Sequence, residues 1–341
     1  MQVSLSDVAA KAGVSAATVS RVLNGKAQGR IPESTRVRVK KVAADLQYHP
    51  NRLARGLQSR RTMNIGVVVD GLRNPLFAEL LDMLEEKIIE AGYEVLPDTG
   101  RRASDAIGNG LKGWPVDGVL MWAVAHQRID TYLRQPESST PVVYLGHARA
   151  DNADFVAHDS RQGTRLALEH LWDRGYRRIA FASPRDLETP SPELRQVAYD
   201  MFCRERSAPP VRIDIARSPD MEDCRQSGFR RSGFEAGYNF ADWPSGDRPT
   251  AVFCYNDLTA LGFLNGVLAR GLRVPEDVAI VGFDGVDEGL YQLKALTTVE
   301  IPSERICSMA LDLLLGRIAG DIPDEPRQIV LPMTLRSGAT T

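Results

Sequence analysis

The sequence predicts an all-α helix-turn-helix head followed by an α/β core of two Rossmann-like subdomains. Three observations carry this. Two short helical patterns separated by a glycine turn open the chain, and from Met63 onward short β-rich runs alternate with helical patterns. Charge also divides sharply. Residues 1–61 hold 12 Lys/Arg against Asp7, Glu33 and Asp45, a surplus of nine, so with a net charge of -2 the remaining residues carry -11. A basic segment ahead of an acidic body predicts a head that meets a polyanion.

The first element opens with Ser4-Leu5-Ser6-Asp7, a capping-box spacing, and places Leu5, Val8, Ala9 and Ala12 on one helical face before Gly13 stops it. Ser15 caps a second helix over Ala16–Asn24, whose inward positions are Val19, Val22 and Leu23 and which Gly25 can end. That leaves Ala16, Ala17, Ser20, Arg21 and Asn24 outward, with Thr18 flanking. Arg21 suits a bidentate contact to guanine, the alanines can touch thymine methyls, and Ser15, Thr18 and Ser20 suit phosphates. Pro32 announces a third helix with Val39, Val42 and Leu46 on its apolar face.

Eight runs in the body read as strands: Ile65–Asp70, Tyr93–Leu96, Val116–Trp122, Pro141–Gly146, Arg178–Ser183, Val211–Ala216, Ala251–Asn256 and Asp277–Asp284. Helical patterns between nearly all of them imply parallel sheets, and eight or more strands divide best into two. Ligands of such sheets bind at the carboxyl ends of strands, where Asp70, Asn256 and Asp284 stand. A carboxylate accepts hydroxyl protons and an amide both donates and accepts, the chemistry a polyol requires.

Composition sets limits. The chain has 341 residues, 43% hydrophobic and 25% charged, which excludes a disordered or disulfide-dense polypeptide. Cysteines 203, 224, 254 and 307 are far apart, fitting reduced thiols, and the five histidines lack metal spacing. Gly108-Asn109-Gly110-Leu111-Lys112-Gly113 matches a dinucleotide fingerprint but leads into a strand rather than out of one, so no NAD site is expected. His158-Asp159 reads as a loop pair rather than a base and its orienter, and no nucleophile elbow, P-loop or zinc motif occurs. The expectation is no enzyme, no cofactor and no metal. The first residues lack a leader pattern and no apolar run nears the roughly 18 residues of a membrane span, so a cytoplasmic protein without membrane contact is expected.

The run from Leu5 through Gly25 resembles the head of the lactose-repressor (LacI/GalR) family, and Tyr48-His49-Pro50-Asn51-Arg52-Leu53-Ala54-Arg55-Gly56-Leu57 resembles that family's hinge. The resemblance extends through Asn74-Pro75-Leu76-Phe77, Cys254-Tyr255-Asn256-Asp257, Val274-Pro275-Glu276-Asp277-Val278, Val281-Gly282-Phe283-Asp284 and Leu296-Thr297-Thr298-Val299. It implies a periplasmic-binding-protein-like core and a repressor that binds a pseudo-palindromic double-stranded DNA operator as a homodimer under a small-molecule effector. It also implies base readers at Ala16, Ala17 and Arg21, a DNA contact from Asn51, minor-groove contacts from Ala54 and Leu57, with Leu57 as a wedge, and an effector site using Asn74, Phe77 and Arg195. Such a hinge is too short to hold a helix alone, since isolated helices under roughly 12–15 residues are marginal.

The resulting domain plan is residues 1–49 for the head, 50–61 for the hinge, 62–160 with 301–325 for one subdomain and 161–300 with 326–341 for the other. Crossings between subdomains are expected near 157–161, 300–303 and 322–327. The end of the chain shows no leucine heptad, so no coiled-coil tetramer is expected. A transport-type sugar-binding protein shares the body but not the head, and a purine-type corepressor system shares both.

Overall fold

The computed structural model describes residues 3–23, 31–48, 61–69, 71–99, 114–122, 140–146, 153–184, 194–215 and 228–341, which form two units, Met1–Thr62 and Met63–Thr341. In the first unit, the Ser4 hydroxyl accepts from the Asp7 N–H while the Asp7 carboxylate accepts from the Ser4 N–H at 2.8 Å, closing the capping box of α1 (Leu5–Ala12). Gly13 adopts φ 63°, a left-handed conformation that costs glycine little, and turns the chain into α2 (Ala16–Leu23). After Pro32, α3 (Glu33–Asp45) completes a core of Val8, Ala9, Ala12, Val19, Val22, Val39 and Ala43. Ala43 is buried in α3 where the pattern favoured Val42 and Leu46, which are half-buried.

The second unit holds two six-stranded sheets. The first orders β11-β5-β4-β3-β1-β2, from β1 (Asn64–Val68), β2 (Glu94–Asp98), β3 (Gly118–Trp122), β4 (Val142–Gly146), β5 (Asp154–His158) and β11 (Gln328–Leu331), all parallel. The second orders β12-β10-β9-β8-β6-β7, from β6 (Ile179–Pro184), β7 (Val211–Ile215), β8 (Ala251–Cys254), β9 (Ala279–Asp284), β10 (Thr297–Glu300) and β12 (Thr334–Arg336), with β12 antiparallel to β10. Among the described residues the α-helices of this unit are α4 (Pro75–Glu90), α5 (Ser160–Asp173), α6 (Leu194–Glu205), α7 (Gly228–Phe240), α8 (Asp257–Ala269) and α9 (Ser303–Ala319). Central strands are buried along their length, β3 and β9 at every residue, as parallel sheets covered on both faces require. Cys203, Cys254 and Cys307 are buried free thiols.

The chain passes between the sheets after β5, after β10 and after β11. The third passage differs from the expected 322–327. Arg317, near the end of α9, donates to both Asp154 carboxylate oxygens at 2.7 and 2.8 Å and to the carbonyls of Pro323 and Glu325. Asp154 also accepts from the Arg327 N–H at 2.7 Å. This bidentate pair, each side chain 11% exposed, ties the segment after α9 to the first sheet, where β11 extends the edge beside β5. The crossing therefore lies at Pro332–Met333, where the Gln162 amide clasps the Met333 backbone N–H at 2.9 Å and its carbonyl at 3.2 Å. Residues 326–331 accordingly belong with the first sheet.

One carboxylate organises the strand ends of the second sheet. Asp257, the first residue of α8 and fully buried, accepts from the backbone N–H groups of Gly285 and Val286 at 2.8 Å each and from the Thr298 hydroxyl at 2.5 Å. A Cβ at Gly282 would stand 2.0 Å from its Oδ1, so only glycine lets β9 approach so closely. Burial raises the Asp257 pKa to about 6 in spite of the Thr298, Val286 and Gly285 hydrogen bonds that favour its ionised form.

Replacing Asp257 with Ala strands two buried N–H groups and should lower unfolding stability by about 3 kcal/mol. The pH dependence has a definite sign: the unfolded carboxyl ionises near ~3.9 and the folded one near about 6. The unfolded state therefore binds fewer protons between these values, and stability falls as pH rises through that window. Urea unfolding of the wild type and Asp257→Asn should give a stability difference that narrows from pH 4 to pH 6 and is constant above; a difference that widens over that range contradicts the assignment.

Candidate nucleic-acid interface and ligand cleft

The reading face of the head follows from helix periodicity. Val19 and Val22 turn inward and are 0% and 4% exposed, which sends Ala16, Ala17 and Arg21 to the opposite face, all exposed, with Thr18 and Ser20 half-exposed at its margins. The Ser15 hydroxyl accepts from the Thr18 N–H at 3.1 Å and lies 2.9 Å from the Thr18 hydroxyl, so it caps α2. Among the described residues of that face, Arg21 alone carries a long hydrogen-bonding side chain. Asn24, Asn51, Ala54 and Leu57 lie outside the described residues.

In the body, the strand ends of both sheets meet. Asn74 ends the loop after β1 and is 2% exposed; its Oδ1 accepts from the Leu76 N–H at 3.1 Å, capping α4, while its side chain hydrogen-bonds Asp284. Asn74 belongs to the first sheet's half and Asp284 to the second's, so this bond bridges them. Asp284 ends β9 at φ 128°, a conformation that L side chains rarely adopt, and is held there by its neighbours' bonds to Asp257 and by the Ile301 N–H donating to its carbonyl at 3.1 Å. Burial pushes the Asp284 pKa well above the usual carboxylate range and the Asp257 charge pushes it further; Arg195 and the Asn74 hydrogen bond pull it back.

Arg195, at the start of α6, is 5% exposed. It donates to the Tyr255 carbonyl at 2.9 Å, and its guanidinium lies 3.8 Å from the Tyr255 ring centroid and 4.9 Å from that of Phe283. Aromatic faces stabilise a cation buried this deeply. The sequence-selected residues Asn74, Arg195 and Asp284 thus come together across the two halves, and Asp70 lies outside the described residues. Asn256 differs from expectation: its Oδ1 accepts from the Thr259 N–H at 2.9 Å and the Thr259 hydroxyl at 2.8 Å, capping α8, so its oxygen is committed and only its NH₂ can serve a ligand. Phe77 is 3% exposed and meets Trp122 edge-on at 5.9 Å.

Sequence reasoning singled out neither Trp122 nor Asp257, and it placed His158 in a loop, whereas His158 is the last residue of β5. Trp122 ends β3 and stacks on His158, which ends β5, with centroids 6.1 Å apart and planes 27° from parallel. Asp159 accepts from the Arg161 and Gln162 N–H groups at 3.1 and 3.0 Å as the cap of α5, a helix-capping role. The strand-end rule that picked Asp284 applied equally to Trp122, but it could not reach His158 because β5 was not among the expected strands. Among the described residues no group of three or more His, Cys, Asp or Glu could hold a metal ion, and no helix is long and apolar enough to cross a membrane.

Comparisons with known proteins give one consistent result. Residues 4–51 match the bacterial regulatory proteins of the lacI family, residues 62–199 the periplasmic binding proteins and sugar binding domain of the LacI family, and residues 168–341 a periplasmic binding protein-like domain. The chain is 31% identical to the HTH-type transcriptional repressor PurR of Mannheimia succiniciproducens, over 92% of each chain. It is 28% identical to the ribose operon repressor of Escherichia coli, over 98% of this chain and 99% of the other. Its structure resembles that of the lac repressor dimer bound to operator and the anti-inducer ONPF, with a TM-score of 0.80 and 26% identity over 100% of this chain and 99% of that one. With head and body both matched, the chain belongs to the lacI family of bacterial regulatory proteins and is an effector-controlled DNA-binding regulator, not an enzyme.

Proposed function

We propose that the protein is a homodimeric repressor of a catabolic operon, acting in the cytoplasm and controlled by a sugar or sugar derivative bound between the two halves of the body. The observation that carries this reading is the polar cluster of Asn74, Arg195 and Asp284, drawn from both halves and buried together at the strand ends. Two heads grip a pseudo-palindrome, Arg21 reads a guanine through its two parallel donors, and Leu57 of the hinge segment wedges into the central base step. The effector bridges the halves where Asn74 and Asp284 now meet, and so biases the segment before β1 that leads to the head. Its effect on DNA affinity is a coupling free energy between cleft and head. The sugar-binding domain matched in the body, the ribose operon repressor among the relatives and the operator-bound dimer among the structures support this reading.

An operator selected from random DNA supplies the tests. Arg21→Ala should cost roughly 1–3 kcal/mol of operator affinity and relax preference at one base pair per half-site; unchanged preference removes Arg21 as a reader. Leu57→Ala should reduce operator bending in a gel-phasing assay, and equal bending removes the wedge. Arg195→Ala should leave operator binding intact and weaken the response to sugar by roughly tenfold or more, the worth of a charge-assisted hydrogen bond; a normal response places the effector elsewhere.

A further inference from the structure

Among the described residues, four other than glycine adopt a positive φ: Gln47, Met63, Ser207 and Asp284. Three of them have an evident cause. Gln47 and Ser207 follow α3 and α6, where the N–H groups of Tyr48 and Ala208 return to the carbonyls of Ala43 and Cys203 at 2.8 and 2.9 Å, a common left-handed helix ending. Asp284 stands in the cleft described above. Met63 ends no helix; it is the first residue of the second unit and immediately precedes β1, where extended angles would continue the strand. Its φ of 57° is disfavoured for an L residue because Cβ crowds the carbonyl oxygen.

This conformation is held from both sides of the N–Cα bond. On one side the Met63 N–H donates to the Asp117 carboxylate at 3.0 Å, and on the other the Met63 carbonyl accepts from the Glu94 N–H of β2 at 2.9 Å. Asp117 is itself fixed, directly before β3, by its N–H donating to the Asn64 carbonyl at 2.8 Å. The Asn64 amide donates to the Pro115 carbonyl at 2.9 Å, and a Cβ at Gly66 would stand 2.6 Å from the Trp114 indole, so residues 114–117 lie close against β1. Rotation about the Met63 N–Cα bond leaves its carbonyl on Glu94 and β1 in register. It breaks the bond to Asp117 and turns the preceding peptide by about half a turn if Met63 becomes extended.

We propose that Met63 is a two-state regulatory joint: Asp117 holds it left-handed in one state, and in the other Met63 relaxes to extended angles and re-aims the chain that leads to the basic segment. The inference rests on the effector-controlled operator binding proposed above and names the element that carries the two states. A hydrogen bond to a charged acceptor favours the left-handed state while backbone sterics oppose it, so the two opposing effects offset one another. Control of one site by another requires such an element, one whose equilibrium both sites bias. Backbone strain maintained by specific neighbours at a position of consequence is where such a switch is expected.

The test measures operator affinity of the full chain for the wild type, Met63→Gly, Met63→Val, Asp117→Asn and Asp117→Ala. Each is compared at a temperature where circular dichroism shows it folded and at a concentration where sedimentation shows the same assembly. Glycine accepts a positive φ freely and a β-branched residue tolerates it poorly, so Met63→Gly and Met63→Val load opposite states. Their operator affinities should differ by roughly fivefold or more, with the wild type between them or level with one of them. Asp117→Ala should fall with Met63→Val, and Asp117→Asn, which keeps an acceptor oxygen, should stay near the wild type. A purely structural role changes folding stability in these variants without separating them in operator affinity. Equal affinities for Met63→Gly and Met63→Val overturn the proposal and leave the repressor standing. Affinities that both lie on one side of the wild type overturn it too, as does an Asp117→Ala that falls with Met63→Gly. If Asp117→Ala does not fold, the Met63 pair decides alone. A wild-type chain for which selection returns no operator removes the repressor reading and the joint together.

Discussion

Asp257 is the constraint on which the cleft depends. Three donors from two structural levels converge on its carboxylate: the turn after β9 through Gly285 and Val286, and β10 through Thr298. A charge this deeply buried is costly unless it is hydrogen-bonded, and here every bond is to a group of β10 or of the turn after β9. The immediate beneficiary is Asp284, whose unfavourable backbone angle persists because the residues on its C-terminal side are pinned. Strain at a binding position held by rigid neighbours is a common way of presenting a side chain to a ligand. The two acids also oppose each other electrostatically, which leaves Asp284 reliant on Arg195 and Asn74 for its charge.

The same arrangement links binding to shape. The chain crosses between the halves after β5, β10 and β11, the last crossing fastened by Gln162 to the Met333 backbone, and the Asn74 to Asp284 hydrogen bond also joins the halves. In the mode of control proposed above, a ligand inserted between Asn74 and Asp284 would exchange their direct bond for bonds to itself and so change the spacing of the halves there. A ligand-controlled equilibrium requires such a differential contact between its two states. β1 begins at Asn64, so the basic segment joins the body through the first half.

Much of this was legible in the sequence because strong local signals agreed with the global fold. The capping box at Ser4, the glycine turn at Gly13 and the buried valines of α2 are local, and the eight apolar runs in the body are all strands. The strands that escaped notice, β5, β10, β11 and β12, are three to five residues long and mix polar with apolar side chains, so periodicity had little to act on. The third crossing was misplaced because its position is set by Arg317 reaching Asp154, a contact 163 residues apart in the chain that no local pattern announces. At the site, charged strand ends drew attention and an aromatic one did not. Trp122 reads as core in the sequence and is core in the structure, packed against Phe77, His158 and Gly146. The motif around Asn256 does not reveal that Thr259 already holds its side-chain oxygen, which leaves its NH₂ for a ligand.

The central claim is that cleft and head share one equilibrium, and thermodynamic reciprocity tests it most directly. Operator affinity is measured at fixed salt with and without the tightest-binding sugar at saturation, and the affinity for that sugar is measured with and without operator. The account predicts that both affinities change by the same factor and in the same direction, about 5- to 150-fold. Two affinities that are each indifferent to the other ligand would contradict it, leaving a DNA-binding head and a sugar-binding body that merely share a chain.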